Sequence, residues 1–398
     1  MTFPVSAALG RALDALGHHT PTPVQQAAIP AILDGRDVWA SAQTGSGKTY
    51  AFVLPILDRL SAREREVRAL ILVPTRELAL QIADVVAHLG TPLKLCIAVG
   101  GASINPQMMA LRGGADLVVA TPGRLLDLVE KNALRLSSVE VLVLDEADRL
   151  LSLGFADELA RVLALLPVRR QNLLFSATFP PAVQKLAADL LHDPIRIDID
   201  PSAARADIAQ RAIEVDADRR TMLLRHLLEA HAWSRVLVFV ATRHAADHVA
   251  SKLVRAGIAA APLHGELSQG ARTQTLEDFK EERLRVLVAT DLAARGLDIV
   301  QLPAVVNYDL PRSPTDYVHR IGRTGRAGET GVAISFVTAE SHDHFRLIEK
   351  RNHLALPRER LEGFEPVKLD VPRSDPNGGI KGKRMSKKDK LRARDNSR

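Results

Sequence analysis

Two stretches of this 398-residue chain combine residue types that handle phosphate. The first is Ala42-Gln43-Thr44-Gly45-Ser46-Gly47-Lys48-Thr49. Its two glycines let the backbone wrap an anion, and the N–H groups of a following helix donate to it. Lys48 has the reach for the β- and γ-phosphates of a nucleotide, and the Thr49 hydroxyl suits Mg²⁺. Ala42 stands where the strict Gly-x4-Gly-Lys-Ser/Thr pattern has its first glycine. The second stretch is Asp145-Glu146-Ala147-Asp148. A carboxylate at the end of a strand can hold Mg²⁺ through water, and the neighbouring Glu146 can orient or deprotonate an attacking water. A glycine-rich turn or an acidic helix cap would account for either stretch alone. Both follow apolar runs of strand length, which favours one nucleotide-phosphate site built from the two.

The elements that position them recur with a rhythm. Val-, Ile- and Leu-rich runs at 37–42, 69–73, 94–99, 116–120, 140–145 and 172–176 are each followed by a turn and a helix-period segment. The pattern restarts at 235–240, 258–263, 285–290, 304–309 and 331–337. Continuous apolar runs joined by helical crossovers predict parallel sheets buried on both faces, hence an α/β class with two similar units. The polar, Pro-containing 193–202 closes the first unit. The expected organisation is a first domain at 1–202, a linker at 203–210, a second domain at 211–365 and an extension at 366–398.

Composition narrows the partners. Charge is 53 Lys and Arg against 47 Asp and Glu, but residues 381–398 alone carry nine Lys/Arg with Asp389 and Asp395, a net +7. The rest of the chain is therefore near neutral, and the tail reads as a disordered basic segment, either a solubilising charge run or a tether for nucleic acid. At 4% Phe, Trp and Tyr, a surface that works by stacking bases is excluded, so any nucleic acid on the body must be gripped by its backbone. The single cysteine, Cys96, lies in an apolar run and cannot form an internal disulfide, which fits a reducing compartment. No apolar stretch approaches the 18 residues of a membrane span and no secretory leader pattern opens the chain, so the expected location is the cytoplasm. His18-His19 and His342/His344 lack companion ligands at metal spacing and read as surface histidines; Tyr308 and Tyr317 read as packing residues.

Further motifs fall in a fixed order along the chain: Gly17 with Pro21-Thr22-Pro23-Val24-Gln25, Pro74-Thr75-Arg76-Glu77-Leu78, Gly100-Gly101, Thr121-Pro122-Gly123-Arg124 and Ser176-Ala177-Thr178. They continue with Phe239-Val240-Ala241-Thr242-Arg243, His264-Gly265, Gln269 with Arg272, Ala289-Thr290-Asp291 running on to Gly296-Leu297-Asp298, and Tyr317-Val318-His319-Arg320-Ile321-Gly322-Arg323-Thr324-Gly325-Arg326. With these the chain, from about residue 3 to 365, resembles the DEAD-box RNA helicases of superfamily 2. Leu361-Glu362-Gly363-Phe364-Glu365-Pro366 and the short basic tail are similar to the bacterial RhlE-like subgroup.

The resemblance implies two tandem RecA-like domains, acting as a monomer without a membrane, with ATP and Mg²⁺ as cofactors and RNA as partner. ATP hydrolysis would be coupled to closure of the domains on single-stranded RNA and to local unwinding of short duplexes. Gln25 would read adenine and Asp298, with Gly296, would meet the ribose, beside Ala42, Gln43, Thr44, Gly45, Ser46, Gly47, Lys48 and Thr49 on the phosphates; Thr49 and Asp145 would hold Mg²⁺. The aromatic before Gln25 is Phe3, a few residues nearer than the family spacing. Lys48, Asp145 and Glu146 would act with the arginine fingers Arg323 and Arg326, while Ser176, Thr178 and His319 would couple nucleotide state to closure. RNA contacts would come from Thr75, Arg76, Gly101, Thr121, Gly123, Arg124, Thr242, Arg243, Gly265, Gln269, Arg272 and Thr290, whose small hydroxyls, glycine N–H groups and guanidinium groups suit phosphate and sugar rather than base edges. Two rivals share these motifs: an ATP-gated RNA clamp or assembly scaffold, and a DNA helicase or translocase.

Overall fold

A computed structural model describes residues 2–42, 46–60, 64, 66–199, 208–294, 301–325 and 331–367. These form two compact units, the first ending at Ile199 and the second beginning at Ile208. The first contains β1 (Val38–Ser41), β2 (Ala69–Leu72), β3 (Leu95–Ala98), β4 (Leu117–Ala120), β5 (Val141–Leu144), β6 (Gln171–Ser176) and β7 (Ile195–Asp198), in the order β3-β4-β2-β5-β6-β1-β7. The second contains β8 (Ile208–Glu214), β9 (Val236–Val240), β10 (Ala260–Leu263), β11 (Val286–Thr290), β12 (Ala304–Asn307), β13 (Gly331–Val337) and β14 (Arg358–Glu359), in the order β10-β11-β9-β12-β13-β8-β14. Counted from the first strand of each unit, the two orders are the same. All pairings within both sheets are parallel, for example Leu70↔Leu142 between β2 and β5 and Leu237↔Val305 between β9 and β12. Two RecA-like sheets of one strand order thus follow each other along the chain.

The apolar runs explain the layers. In β2, Ala69 and Ile71 pack into one core while Leu70 and Leu72 pack into the other, and β4 and β5 divide the same way. Each Val, Leu or Ile side chain among them, moved out of water, contributes about 1.5–3 kcal/mol before ordering costs. Because both faces are covered, polar residues collect beyond the carboxyl ends of the strands, where open α/β sheets bind ligands. Cys96 is buried in β3, where desolvation raises its thiol pKa. Tyr308 and Tyr317 are buried as well. Among the described residues no helix is long and apolar enough to cross a membrane.

Eleven strands coincide with the apolar runs to within a residue or two; β7, β8 and β14 do not. β7 lies inside the polar 193–202 as an outer strand, where only Ile197 is fully buried and Arg196 and Asp198 face solvent. β8 takes in Ile208, Ala209 and Gln210 of the expected linker, pairing over seven residues with β13. Its Gln210 Oε1 accepts a bond from the Tyr317 hydroxyl (3.0 Å). β7 is the edge strand of its sheet and β8 lies beside the two-residue edge strand β14, and neither carries a continuous apolar run. At the other end, Val367 N–H donates to Asp216 Oδ2 (2.9 Å), so order reaches two residues into the expected extension. Residues 368–398, with the basic run, lie outside the described residues.

Candidate functional site

The strand order sorts the predicted residues into two groups. In the first unit, β1, β5 and β6 are neighbours and lead into the lysine loop, Asp145-Glu146 and Ser176-Ala177-Thr178; β3, β4 and β2 are neighbours and lead into the candidate RNA turns. Gln43, Thr44 and Gly45 lie outside the described residues. Ala42 is buried and its N–H donates to Ser176 O (3.0 Å), so the position without its glycine continues the β1–β6 ladder. Gly47 caps the helix Lys48–Arg59 in the left-handed region (φ 92°). A Cβ there would lie 2.5 Å from Gln25 Nε2, so the close approach of loop and Gln25 requires glycine. Gln25 Nε2 donates to Gly47 O (3.0 Å), Gln25 Oε1 accepts from Thr22 N–H (2.8 Å), and the Thr22 hydroxyl donates to Ser46 O (2.8 Å). Gln25 thus clamps the loop and keeps one N–H and one lone pair for a base. Phe3 is half-buried against the apolar core.

Lys48 is 5% exposed, and its Nζ lies 3.7 Å from Asp145 Oδ1 with no hydrogen-bond partner. An ammonium buried without hydrogen bonds is costly, and a phosphate oxygen would satisfy it. Asp145 is buried at the end of β5, and its Oδ1 accepts from Glu146 N–H (2.9 Å). Desolvation pushes its pKa up to about 6, Lys48 opposing and Glu146 adding to the shift. Glu146 holds φ 50° and ψ 50°, a left-handed geometry that disfavours a side chain, and begins the short helix Ala147–Ser152. Asp148 is the hub beside it: its N–H donates to Ser176 Oγ (3.2 Å), and its Oδ2 accepts from the Thr178 hydroxyl (2.6 Å). Ser176 Oγ donates on to Thr178 O (2.7 Å).

The Asp145 shift has a measurable consequence. A carboxyl whose folded pKa is raised favours the folded state below about pH 3.8 and loses that contribution as pH rises to 6. Its ionisation therefore costs the free protein on the order of 3 kcal/mol at pH 8 by the value of a pKa unit. Asp145→Asn should gain stability over the parent by about 2 kcal/mol between pH 4 and pH 8 in denaturant titrations without nucleotide. A constant difference across that range would show that Asp145 is not the buried titrating group.

On the other half of the first sheet, Thr75 caps the helix Arg76–His88, its Oγ1 accepting from Leu78 N–H (3.3 Å). Thr121 Oγ1 accepts from Gly100 N–H (3.3 Å), joining the turns after β3 and β4. Both hydroxyl hydrogens remain for a ligand. Arg124 donates to Ala102 O (2.9 Å) and pairs with Asp127, yet its Nη1 is buried without a hydrogen bond, as is Arg76 Nε. Gly101 (φ 74°) and Gly123 have open space around them. In the second unit Thr242 caps the helix Arg243–Arg255 with its Oγ1 accepting from Ala245 N–H (3.1 Å), Arg243 pairs with Glu266, and Gly265 is open. Gln269 opens the helix Gln269–Lys280, which carries Arg272, and Thr290 ends β11. These turns again follow the three neighbouring strands β10, β11 and β9.

The arginine-rich segment separates by environment. Arg320, 2% exposed, forks onto Asp291 (2.6 and 2.7 Å) and donates to Asn307 Oδ1 (3.0 Å) and Asp309 O (2.6 Å). It is a structural anchor that motif reading did not single out. Arg323 follows the same helix, Pro314–Ile321, on which His319 is buried; Arg323 N–H donates to Arg320 O (3.2 Å). Arg326, Gly296 and Asp298 lie outside the described residues. The structure thus brings Lys48, Asp145, Glu146, Asp148, Ser176 and Thr178 together in the first unit and places His319 and Arg323 in the second. The sequence motifs contain Asp148 and Arg320 without assigning either a role, and Asp309 is not singled out by them, because a partner in space, not spacing, marks these residues.

Fold and loop define a class, tandem RecA-like units of which the first carries a glycine–lysine loop of the phosphate-binding kind. Comparison makes the family specific. The DEAD/DEAH box helicase profile matches residues 22–186, and the helicase conserved C-terminal domain profile matches residues 219–328. ATP-dependent RNA helicase DeaD of Mycobacterium tuberculosis is 43% identical over 361 residues, covering 90% of this chain and 64% of that protein. DEAD-box ATP-dependent RNA helicase CshA of Geobacillus kaustophilus is 38% identical over 363 residues, covering 90% of this chain and 77% of the relative. Among solved structures, Dbp5 of S. cerevisiae bound to RNA and ADP BeF3 aligns with a TM-score of 0.79 at 32% identity, over 90% of this chain and 94% of the other. The chain belongs to the DEAD-box helicase family. It spans less than two thirds of the length of the M. tuberculosis relative.

Proposed function

We propose that this chain is an RNA-dependent ATPase that uses ATP to close its two units on single-stranded RNA and to open short RNA duplexes locally. The observation that carries the reading is the buried Lys48 ammonium, without a hydrogen bond and 3.7 Å from Asp145, at the start of a helix capped by Gly47. Lys48 and the helix N–H groups bind the phosphates, and Gln25 offers its remaining donor and acceptor to adenine. Thr49 and Asp145 supply the hard oxygen donors that suit Mg²⁺, which when bound would neutralise phosphate charge. Glu146 orients the attacking water and takes up its proton, and Arg323 and Arg326 stabilise charge developing on the γ-phosphate. Asp148, Ser176 and Thr178 pass the nucleotide state along their hydrogen bonds, with His319 as the receiving group on the second unit. The turns after β2, β3, β4, β9, β10 and β11 hold the RNA by phosphate and sugar.

ATP turnover measured with RNA, with DNA of the same sequence and with neither tests this reading. RNA is expected to raise turnover at least about tenfold with little dependence on base sequence, and DNA to do so poorly, because hydroxyl-lined turns recognise the 2′-OH and carry no base code. Equal stimulation by the two would favour the DNA-acting alternative. Turnover independent of both would overturn the proposal.

A further inference from the structure

Asp309, just beyond β12, has every polar atom engaged. Its N–H donates to Phe239 O (3.1 Å), extending the β12–β9 ladder. Its carbonyl accepts from Arg320 Nη1 (2.6 Å), Oδ1 accepts from Arg220 Nη1 (2.5 Å), and Oδ2 accepts from Ala241 N–H (2.8 Å). Arg220 is itself fixed, lying 4.5 Å over the Tyr308 ring and donating to Tyr308 O (3.0 Å). Ala241 opens the turn that continues into Thr242 and Arg243, and all three residues are exposed. An exposed turn of this kind is held by what grips its backbone: the half-buried Asp309 carboxylate binds it at Ala241, next to the Thr242 cap.

We propose that Asp309 is a positioning residue for RNA binding: braced by Arg220, it holds the Ala241-Thr242-Arg243 turn in the conformation that meets a phosphate. The inference rests on the reading of Thr242 and Arg243 as RNA contacts. The chemistry requires a carboxylate, because two donors approach its two oxygens. Asparagine has one acceptor oxygen, so its NH₂ would face either the guanidinium or the Ala241 N–H. The freed turn would then have to be ordered by the RNA itself, at a cost in affinity.

The test measures RNA half-saturation of ATP turnover in the full chain, alongside thermal melting and turnover without RNA. Asp309→Asn should raise half-saturation about tenfold, equivalent to about 1.4 kcal/mol, with RNA-free turnover unchanged. Arg220→Ala should raise it less, Arg220→Lys should restore it, and these two keep the proposal testable if Asp309→Asn fails to fold. Arg243→Ala combined with Asp309→Asn should weaken RNA no more than the larger single change does, since both act through one turn. Unchanged half-saturation in a folded Asp309→Asn protein, or single effects that multiply, would overturn the proposal while leaving the RNA reading of Arg243 in place. If Arg243→Ala alone left half-saturation unchanged, that reading would fall and this inference with it.

Discussion

Glu146→Gln is expected to cut steady-state ATP turnover by at least about 100-fold, the lower end of what a positioned general base contributes. The replacement preserves shape at a position where shape is constrained. Glu146 holds left-handed dihedrals (φ 50°, ψ 50°), its N–H is bound to Asp145, and its carbonyl accepts from Arg149 and Leu150. A glutamine meets the same backbone demands, so the fold and the adjoining Asp145 should be undisturbed. Nucleotide affinity should stay within a few-fold of the parent, because the proposed phosphate-holding groups, Lys48 and the N–H groups of its helix, are untouched. The variant should therefore accumulate a long-lived ternary complex with ATP and RNA. Single-turnover hydrolysis together with binding of a fluorescent ATP analogue separates the two quantities. Near-normal hydrolysis would remove Glu146 from the mechanism, and lost nucleotide binding would assign it to the ground state instead.

That a side chain accepts strain next to a buried, protonation-prone carboxylate could not be read from Asp145-Glu146-Ala147-Asp148 as letters. What could be read is the placement. Stretches such as 69–73 and 141–144 are apolar at every position, as a strand covered on both faces has to be, so the end of such a strand is marked by a polar residue. Asp145, Thr75 and Ser176 stand at such ends, which is why the ends of β5, β2 and β6 could be placed from the sequence. β7 and β8 were illegible for the complementary reason, since strands near a sheet border keep polar side chains such as Arg196 and Arg211 in half-solvated positions. The partners of Asp148 and Asp309 are 30 and 68 residues away, at Thr178 and Ala241. Those contacts exist only once neighbouring parallel strands are in register, and no local pattern encodes them.

Arg320 and Arg323, both buried, should respond in different ways. Arg320 spends its donors on Asp291, Asn307 and Asp309. Arg320→Ala would strand the Asp291 carboxylate and the buried Asn307 amide, and breaking a buried ion pair costs up to about 3–5 kcal/mol. Because Asp291 keeps a side-chain exposure of 24%, the loss should be smaller, visible as a lower melting temperature of the second unit. Arg323 is held by its backbone: its N–H donates to Arg320 O, its carbonyl accepts from Leu302 N–H (3.1 Å), and the neighbouring Thr324 hydroxyl donates to Leu302 O. Gly331 lets this turn lie against β13, since a Cβ there would collide with the Thr324 side chain and the Gly325 backbone. Arg323→Ala should lower melting less than Arg320→Ala does, since these backbone bonds survive the substitution. If its guanidinium serves the γ-phosphate as proposed, RNA-stimulated turnover should fall about 10³-fold, the lower range for an arginine finger. Nucleotide affinity of the free protein should change by less than about threefold, because losing an interaction made only in the transition state lowers kcat without moving ground-state binding. Arg323→Lys should recover little, an ammonium lacking the planar fork. Melting curves, nucleotide titrations and RNA-stimulated turnover of the three variants decide the matter. Full turnover in Arg323→Ala would leave Arg326 as the remaining candidate finger, and a drop in melting as large as that of Arg320→Ala would make Arg323 a second anchor of the fold.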